Sequence, residues 1–210
     1  MQFTADQVWG LAVRADTLNQ GYYKEPVWGY SDSGESKIIK EANKVLVKQW
    51  LRDNVQPTNL EVELGQKYRS YFNGFTLKAL TGKINDFERQ ALKIAQMDEF
   101  TGRNMLEFAV ISCLPSVARR DQARVDLNRE IFASEQLVGA EGDVVTGVIT
   151  VISSRFNQNY NKFKITARMG EAFVDFWFSK ELAGELTIKG KIKALRGDKT
   201  TALNYVKIRG

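Results

Sequence analysis

Residues 143–208 read DVVTGVITVISSRFNQNYNKFKITARMGEAFVDFWFSKELAGELTIKGKIKALRGDKTTALNYVKI. Apolar residues, many of them β-branched or aromatic, alternate here with polar ones. The runs are cut by turn-forming residues at Asn157–Asn161, Gly170-Glu171, Lys180–Gly184 and Gly197-Asp198. Period-two alternation between such punctuation is the pattern of half-buried strands. It predicts five strands, at 143–155, 163–169, 172–178, 186–195 and 203–208. Five short strands so closely spaced make a small barrel or sandwich.

Alternation also sorts the side chains, because successive residues of a strand point to opposite faces. Phe163, Ile165, Ala167 and Met169 share one face of the second strand, leaving Lys162, Lys164, Thr166 and Arg168 on the other. In the third, Ala172, Val174, Phe176 and Phe178 oppose Phe173, Asp175 and Trp177. In the fourth, Leu186, Ile188, Ile192 and Ala194 oppose Thr187, Lys189, Lys191 and Lys193. The last strand places Val206 and Ile208 inward and Leu203, Tyr205 and Lys207 outward. The outward set interleaves cations with rings, and Tyr160 in the first turn adds a ring at its rim. Single-stranded nucleic acid is held by that combination, cations following the phosphates and rings stacking on bases. Two other readings stand beside it. Phe173, Trp177 and Tyr205 are equally suited to covering the N-terminal region, and a lysine row can guard an edge strand.

The chain before this stretch reads mainly as helix. Thr4 and Gln7 have capping-box spacing ahead of Val8, Leu11 and Ala12. An aromatic-rich loop over 22–34 precedes a second helix, from Ser36 to Asp53. Leu60, Val62 and Leu64 alternate with acids as in a short strand. Helices follow at 66–81 and 85–97, the latter opened by Asn85 and Glu88. The run Leu106–Leu114, closed by Pro115, reads as a buried strand with Cys113 as a packing residue. Residues 116–136 form a basic helix or loop whose Arg119, Arg120, Arg124 and Arg129 could lengthen a phosphate track. The expected fold class is α+β, with a mainly helical region over 1–138 and a five-stranded OB-like barrel over 139–210.

Charge follows the same division. Of 210 residues, 30 are Lys or Arg and 25 Asp or Glu. From Asp143 onward twelve basic residues face six acidic ones, so all the excess positive charge lies in the last third. Such asymmetry points to a polyanionic partner or to a solvated basic face. The chain has no histidine, which excludes Ser-His-Asp and Cys-His nucleophile systems and the common zinc sites. No phosphate-cradling loop is present, since Gly82-Lys83 lacks both the upstream glycine and the Ser/Thr. Glu61/Glu63 and Asp98/Glu99 read as solvated acids rather than magnesium ligands. No enzyme activity, cofactor or metal is expected. The lone Cys113 fits a reducing cytoplasm, and neither a secretory signal nor a membrane span is expected.

The strand order, the lysines of KGKIKALRGDKTTALNYVKI and the aromatic strand AFVDFWF resemble an OB-fold. They are most similar to the OB domains of bacteriophage single-stranded-DNA-binding and replication proteins. The resemblance covers Gly142–Ile208. It implies a binding face on strands two and three, with Lys162, Lys164, Arg168, Phe173 and Trp177. It also implies non-enzymatic binding of single-stranded DNA, or RNA, with little sequence preference, in phage replication, recombination or repair. The site would be in the host cytoplasm. The sequence departs from that family in two ways. It ends Lys207-Ile208-Arg209-Gly210 where many members carry an acidic tail, so replication or recombination partners are expected on the N-terminal region. The connection between strands three and four is also too short for the usual helix. A second reading makes the basic β-domain a docking or inhibitor module for an acidic protein.

Overall fold

The computed structural model describes residues 2–209 except Arg103, Glu135, Arg196 and Asp198, with Met105 described by its backbone alone. Asp198 of the expected last turn therefore lies outside the described residues. The chain divides into two units, Met1–Ala123 and Arg124–Gly210.

The first unit is built around α1 (Ala5–Asn19), which Thr4 and Gln7 open with the expected capping box. Val8, Trp9, Leu11 and Ala12 are buried along it. Against it pack α2 (Asn43–Arg52) and α3 (Asn59–Asn73). A short α4 (Thr76–Leu80), then α5 (Asp86–Ala95), α6 (Met105–Ile111) and α7 (Leu114–Ala133) follow. β1 (Gln2–Thr4) pairs antiparallel with β4 (Glu99–Thr101), and β2 (Val27–Tyr30) with β3 (Ser36–Lys40). Phe72, Phe100, Phe108, Ile111 and Leu114 complete the core.

Four expectations change here. Ser36–Lys40 is a hairpin strand rather than the start of a helix, because the Ser31–Glu35 turn folds it back on β2 (Ser31 N to Glu35 O, 2.8 Å). Leu60, Val62 and Leu64 lie in α3, since Thr58 and Glu61 form a second capping box ahead of them. The helix expected over 66–81 is two, broken at Gly74-Phe75. Leu106–Ile111 is helical, with Asn104 accepting from the Leu106 N–H as N-cap. Pro115 stands in the first turn of α7, where its missing N–H costs nothing.

The close crossing of α1 and α3 depends on two glycines. A Cβ on Gly65 would lie 3.0 Å from Trp9 Cβ and 3.1 Å from the Gly10 backbone nitrogen, and one on Gly10 2.6 Å from Pro57 Cβ. Gly65→Ala should lower stability by about 1–3 kcal/mol through overpacking, read from the denaturant midpoint.

Arg14 also ties these helices, its guanidinium forking onto Glu61 at 2.8 and 2.7 Å. Burial raises the Glu61 carboxyl, but the donors of Arg14 and Thr58 outweigh it and hold it below the ordinary carboxylate range. A depressed folded pKa gives stability that is present above the unfolded value and lost as pH falls through the folded one. Glu61→Gln should cost about 1.5 kcal/mol at neutral pH. The gap to wild type should close on acidification below the carboxylate range, as followed by thermal melts across pH.

The second unit holds the barrel and the end of α7. β5 (Val144–Asn157), β6 (Lys162–Met169), β7 (Ala172–Phe178), β8 (Glu185–Leu195) and β9 (Thr200–Arg209) close in the order β5-β6-β7-β9-β8. β5 pairs with β8 through its first half and with β6 through its second, bending at a bulge near Ile152. Closure comes from a parallel pairing of β7 with β9, Phe173 to Thr200 through Asp175 to Ala202. The short β7–β8 connection therefore does not prevent it. The architecture is α+β, a helical N-terminal part followed by an OB-like barrel.

Ile149, Ile165, Ala167, Val174, Phe176, Ile188, Ile192 and Leu203 fill the interior. The faces expected for β6 and β7 are the ones observed. In β9, Leu203 faces inward instead of outward. Lys189 pairs with Lys207 but Lys191 with Asn204, so β9 carries an extra residue opposite Gly190. Tyr205 takes it up in a left-handed conformation (φ 53°), and the alternation changes phase there. Gly190 leaves room for the bulge, for a Cβ on it would meet Val206 Cγ2 at 3.1 Å.

Candidate nucleic-acid interface

The outward faces of β6 and β7 form one wall of the barrel. Register places Lys164 opposite Trp177, Thr166 opposite Asp175 and Arg168 opposite Phe173, while Arg155 of β5 stands opposite Lys164. The wall has a closed end and an open end.

At the closed end Phe173 and Asp175 are 3% and 4% exposed. The Arg168 guanidinium lies 5.1 Å from the Phe173 ring centroid and is bound by Glu130 of α7 at 2.7 Å. Leu127, Asn128 and Ile131 of α7 line a cleft of about 290 Å³ with Ser153, Thr166 and Asp175. Phe173 is thus a packing residue between sheet and helix, not an open stacking ring. Lys164 is anchored as well, its Nζ 3.5 Å from Asp175.

At the open end Trp177 is 39% exposed and Tyr160 66%. Their ring centroids stand 5.1 Å apart at an interplanar angle of 51°. Local sequence sets the Tyr160 ring there. The Asn157 side chain accepts from the backbone N–H groups of Asn159 and Tyr160 at 3.0 and 3.3 Å, an Asx-type turn. Asn161 then leaves in the left-handed region (φ 48°) to start β6. Lys162, exposed, opens β6 two residues after Tyr160, whereas Arg155, also exposed, lines the α7 cleft with Lys164. Two open π-faces near an unburied lysine can stack bases and meet a phosphate.

The remaining expected residues lie elsewhere. Lys189, Lys191 and Lys207 project from β8 and β9 with Tyr205 at the bulge, and Lys193 stands at a second bulge, between Ile192 and Ala194. All five are exposed. The sequence reading joined two walls into one face, because alternation tells inward from outward but not which outward faces adjoin. It passed over Arg155, whose place depends on register, and Asn157, whose Asx-type turn had a local signal in Asn157–Asn161.

The other groups singled out are engaged within the fold. Arg119 Nη1 pairs with Asp16 at 3.1 Å, Arg120 donates to the Ser116 carbonyl and Arg129 lies 3.5 Å from Asp126. Asp98 pairs with Arg69, and Glu99 accepts from Gln2. Cys113 sits between α6 and α7, and burial pushes its thiol up to about 11. Among the described residues no cluster of three acidic or cysteine side chains could hold a metal ion, and no helix is long and apolar enough to cross a membrane. No protein-family model, curated protein or solved structure matches the chain.

The burial of Phe173 sets an expected outcome. Phe173→Ala should destabilise the barrel by about 3–5 kcal/mol, as core Phe truncations do. Equilibrium unfolding followed by circular dichroism measures it.

Proposed function

We propose that this protein binds single-stranded DNA without catalysing a reaction on it, with little sequence preference, in replication, recombination or repair. The observation that carries the reading is the exposed Tyr160–Trp177 pair, with the exposed Lys162 two residues from Tyr160. Solvent-facing Trp and Tyr side chains held in a fixed pair are costly in apolar exposure and valuable to a base. Stacking accepts every base, and the wall has few groups free to read base edges, so discrimination is weak. The resemblance that the sequence of Gly142–Ile208 bears to bacteriophage OB domains implies the same reading. RNA would stack equally, for no group here is placed to select a 2′-hydroxyl.

The test is fluorescence anisotropy of labelled single-stranded and duplex oligonucleotides over a salt series. Single strands should bind more tightly than duplex, with affinity falling as salt rises. Trp177→Ala should weaken single-strand binding about 5- to 100-fold, the equivalent of one stacked base at ~1–3 kcal/mol. Because Trp177 is partly exposed, the fold should survive the change. Equal affinity for duplex would reduce the activity to generic polycation behaviour. No binding at low salt would overturn the reading in favour of an acidic protein partner.

A further inference from the structure

We propose that the β8–β9 wall is a second track for single-stranded nucleic acid, holding its phosphate backbone on the side of the barrel away from the Tyr160–Trp177 pair. The inference rests on the function proposed above. In the ring β5-β6-β7-β9-β8, strand β8 lies across the barrel from the β6–β7 seam. Its outward lysines therefore stand apart from the ring pair, and β9, which carries Lys207, meets β7 only through Thr200–Ala202, five positions before that lysine.

Pairing within the barrel removes the ordinary explanation of a lysine row. Edge strands carry lysines against aggregation, but β8 is hydrogen-bonded to β5 on one side and β9 on the other. It has no edge to guard.

The charges on this wall are also unbalanced. Lys189 and Lys207 stand directly opposite each other, Arg209 opposes Thr187, and Lys191 is two residues from Lys189 on the same face. Like charges in direct cross-strand register destabilise a sheet. Among the described residues none of the four cations has an ion-pair partner. On the first wall, by contrast, Lys164 and Arg168 are held by Asp175 and Glu130. Among the described residues Lys162 and Arg155 are also unpaired on the first wall, but the larger and closer set of free cations lies on the second. Tyr205 adds a ring to it, 82% exposed at the bulge between the partners of Lys189 and Lys191.

The experiment compares two oligothymidines, one of about 8 nucleotides, within the site size of a single OB-type groove, and one of about 40. Anisotropy across a salt series is read for wild type, for Lys189→Ala/Lys191→Ala/Lys207→Ala and for Lys207→Glu. The last replaces the repulsive pair by an attractive one, so a weakened fold cannot explain its phenotype. Both variants should bind the first short oligonucleotide, at the ring pair, with wild-type affinity and lose at least about tenfold for the long one at low salt. For the triple variant the salt slope with the long oligonucleotide should fall by about 2, at ~0.7 per lost phosphate contact. Unchanged affinity and slope for the long oligonucleotide would overturn the second track. So would equal losses for both lengths, which would place the lysines in the first site. Wild type failing to bind either would instead overturn the proposed function itself. Donor- and acceptor-labelled short oligonucleotides then identify the source of the strand. Energy transfer between them at saturation means two strands held at once, and none, with the long-oligonucleotide loss present, means one strand passing around the barrel.

Discussion

The parallel pairing of β7 with β9 is the contact on which the second unit depends. Only three residue pairs make it, yet it turns an open sheet into a ring in which every strand has two neighbours. Closure seals Ile149, Ile165, Val174, Phe176, Ile188 and Ile192 from water, and their burial is the main favourable term in forming the barrel. It also fixes the outside. Once the ring is closed, each outward side chain is assigned to a wall by the order of the strands, and no local adjustment can move it to another. Tyr160, Lys162 and Trp177 come together because β6 and β7 are adjacent. The lysines of β8 are kept apart from them by the same rule.

Much of the barrel was legible because alternation is a local consequence of burial. In β6 and β7 each inward position is apolar over the whole strand, so the core-facing side follows from composition alone. β9 escaped that logic. Leu203 and Val206 both pack on the core although they are three positions apart, an odd spacing that a regular strand cannot bring to one face. The bulge responsible is set by pairing with β8. Its conformational demand, a left-handed residue, falls on a tyrosine that carries no sign of it, while Gly190 across the ladder carries only an indirect one.

The helical region shows the opposite balance. Three of its helices open with reciprocal capping boxes, at Thr4/Gln7, Thr58/Glu61 and Asn85/Glu88. The first and last are read from the sequence, whereas at Thr58/Glu61 only the alternation of Leu60, Val62 and Leu64 is, and it points to a strand. Apolar residues at i and i+4 suit a helix as well as a strand, and in α3 Leu60 simply remains 64% exposed. Leu106–Ile111 misleads in the same way, since a short apolar run has no period of its own and Asn104 decides it from outside. Caps were the better guide wherever the two signals disagreed.

Compensation of charge separates what the two walls are able to do. On the first wall Asp175 is buried and Lys164 supplies part of what balances it. A phosphate that drew Lys164 away would take that partner from a carboxylate with little water to replace it, and separating buried charges is expensive. Arg168 is likewise committed, stacked on Phe173 and tied to Glu130 where α7 meets the sheet. These cations serve the fold first, which leaves the rings as the groups with most to offer a ligand. On the second wall the relation reverses. Lys189, Lys191 and Lys207 support nothing within the barrel, and their mutual repulsion favours any polyanion that lies across them. Stacking is then chiefly the work of the first wall and phosphate neutralisation chiefly that of the second, with Lys162 the first wall's own contribution to it. Salt therefore acts on both walls, and most strongly on the second.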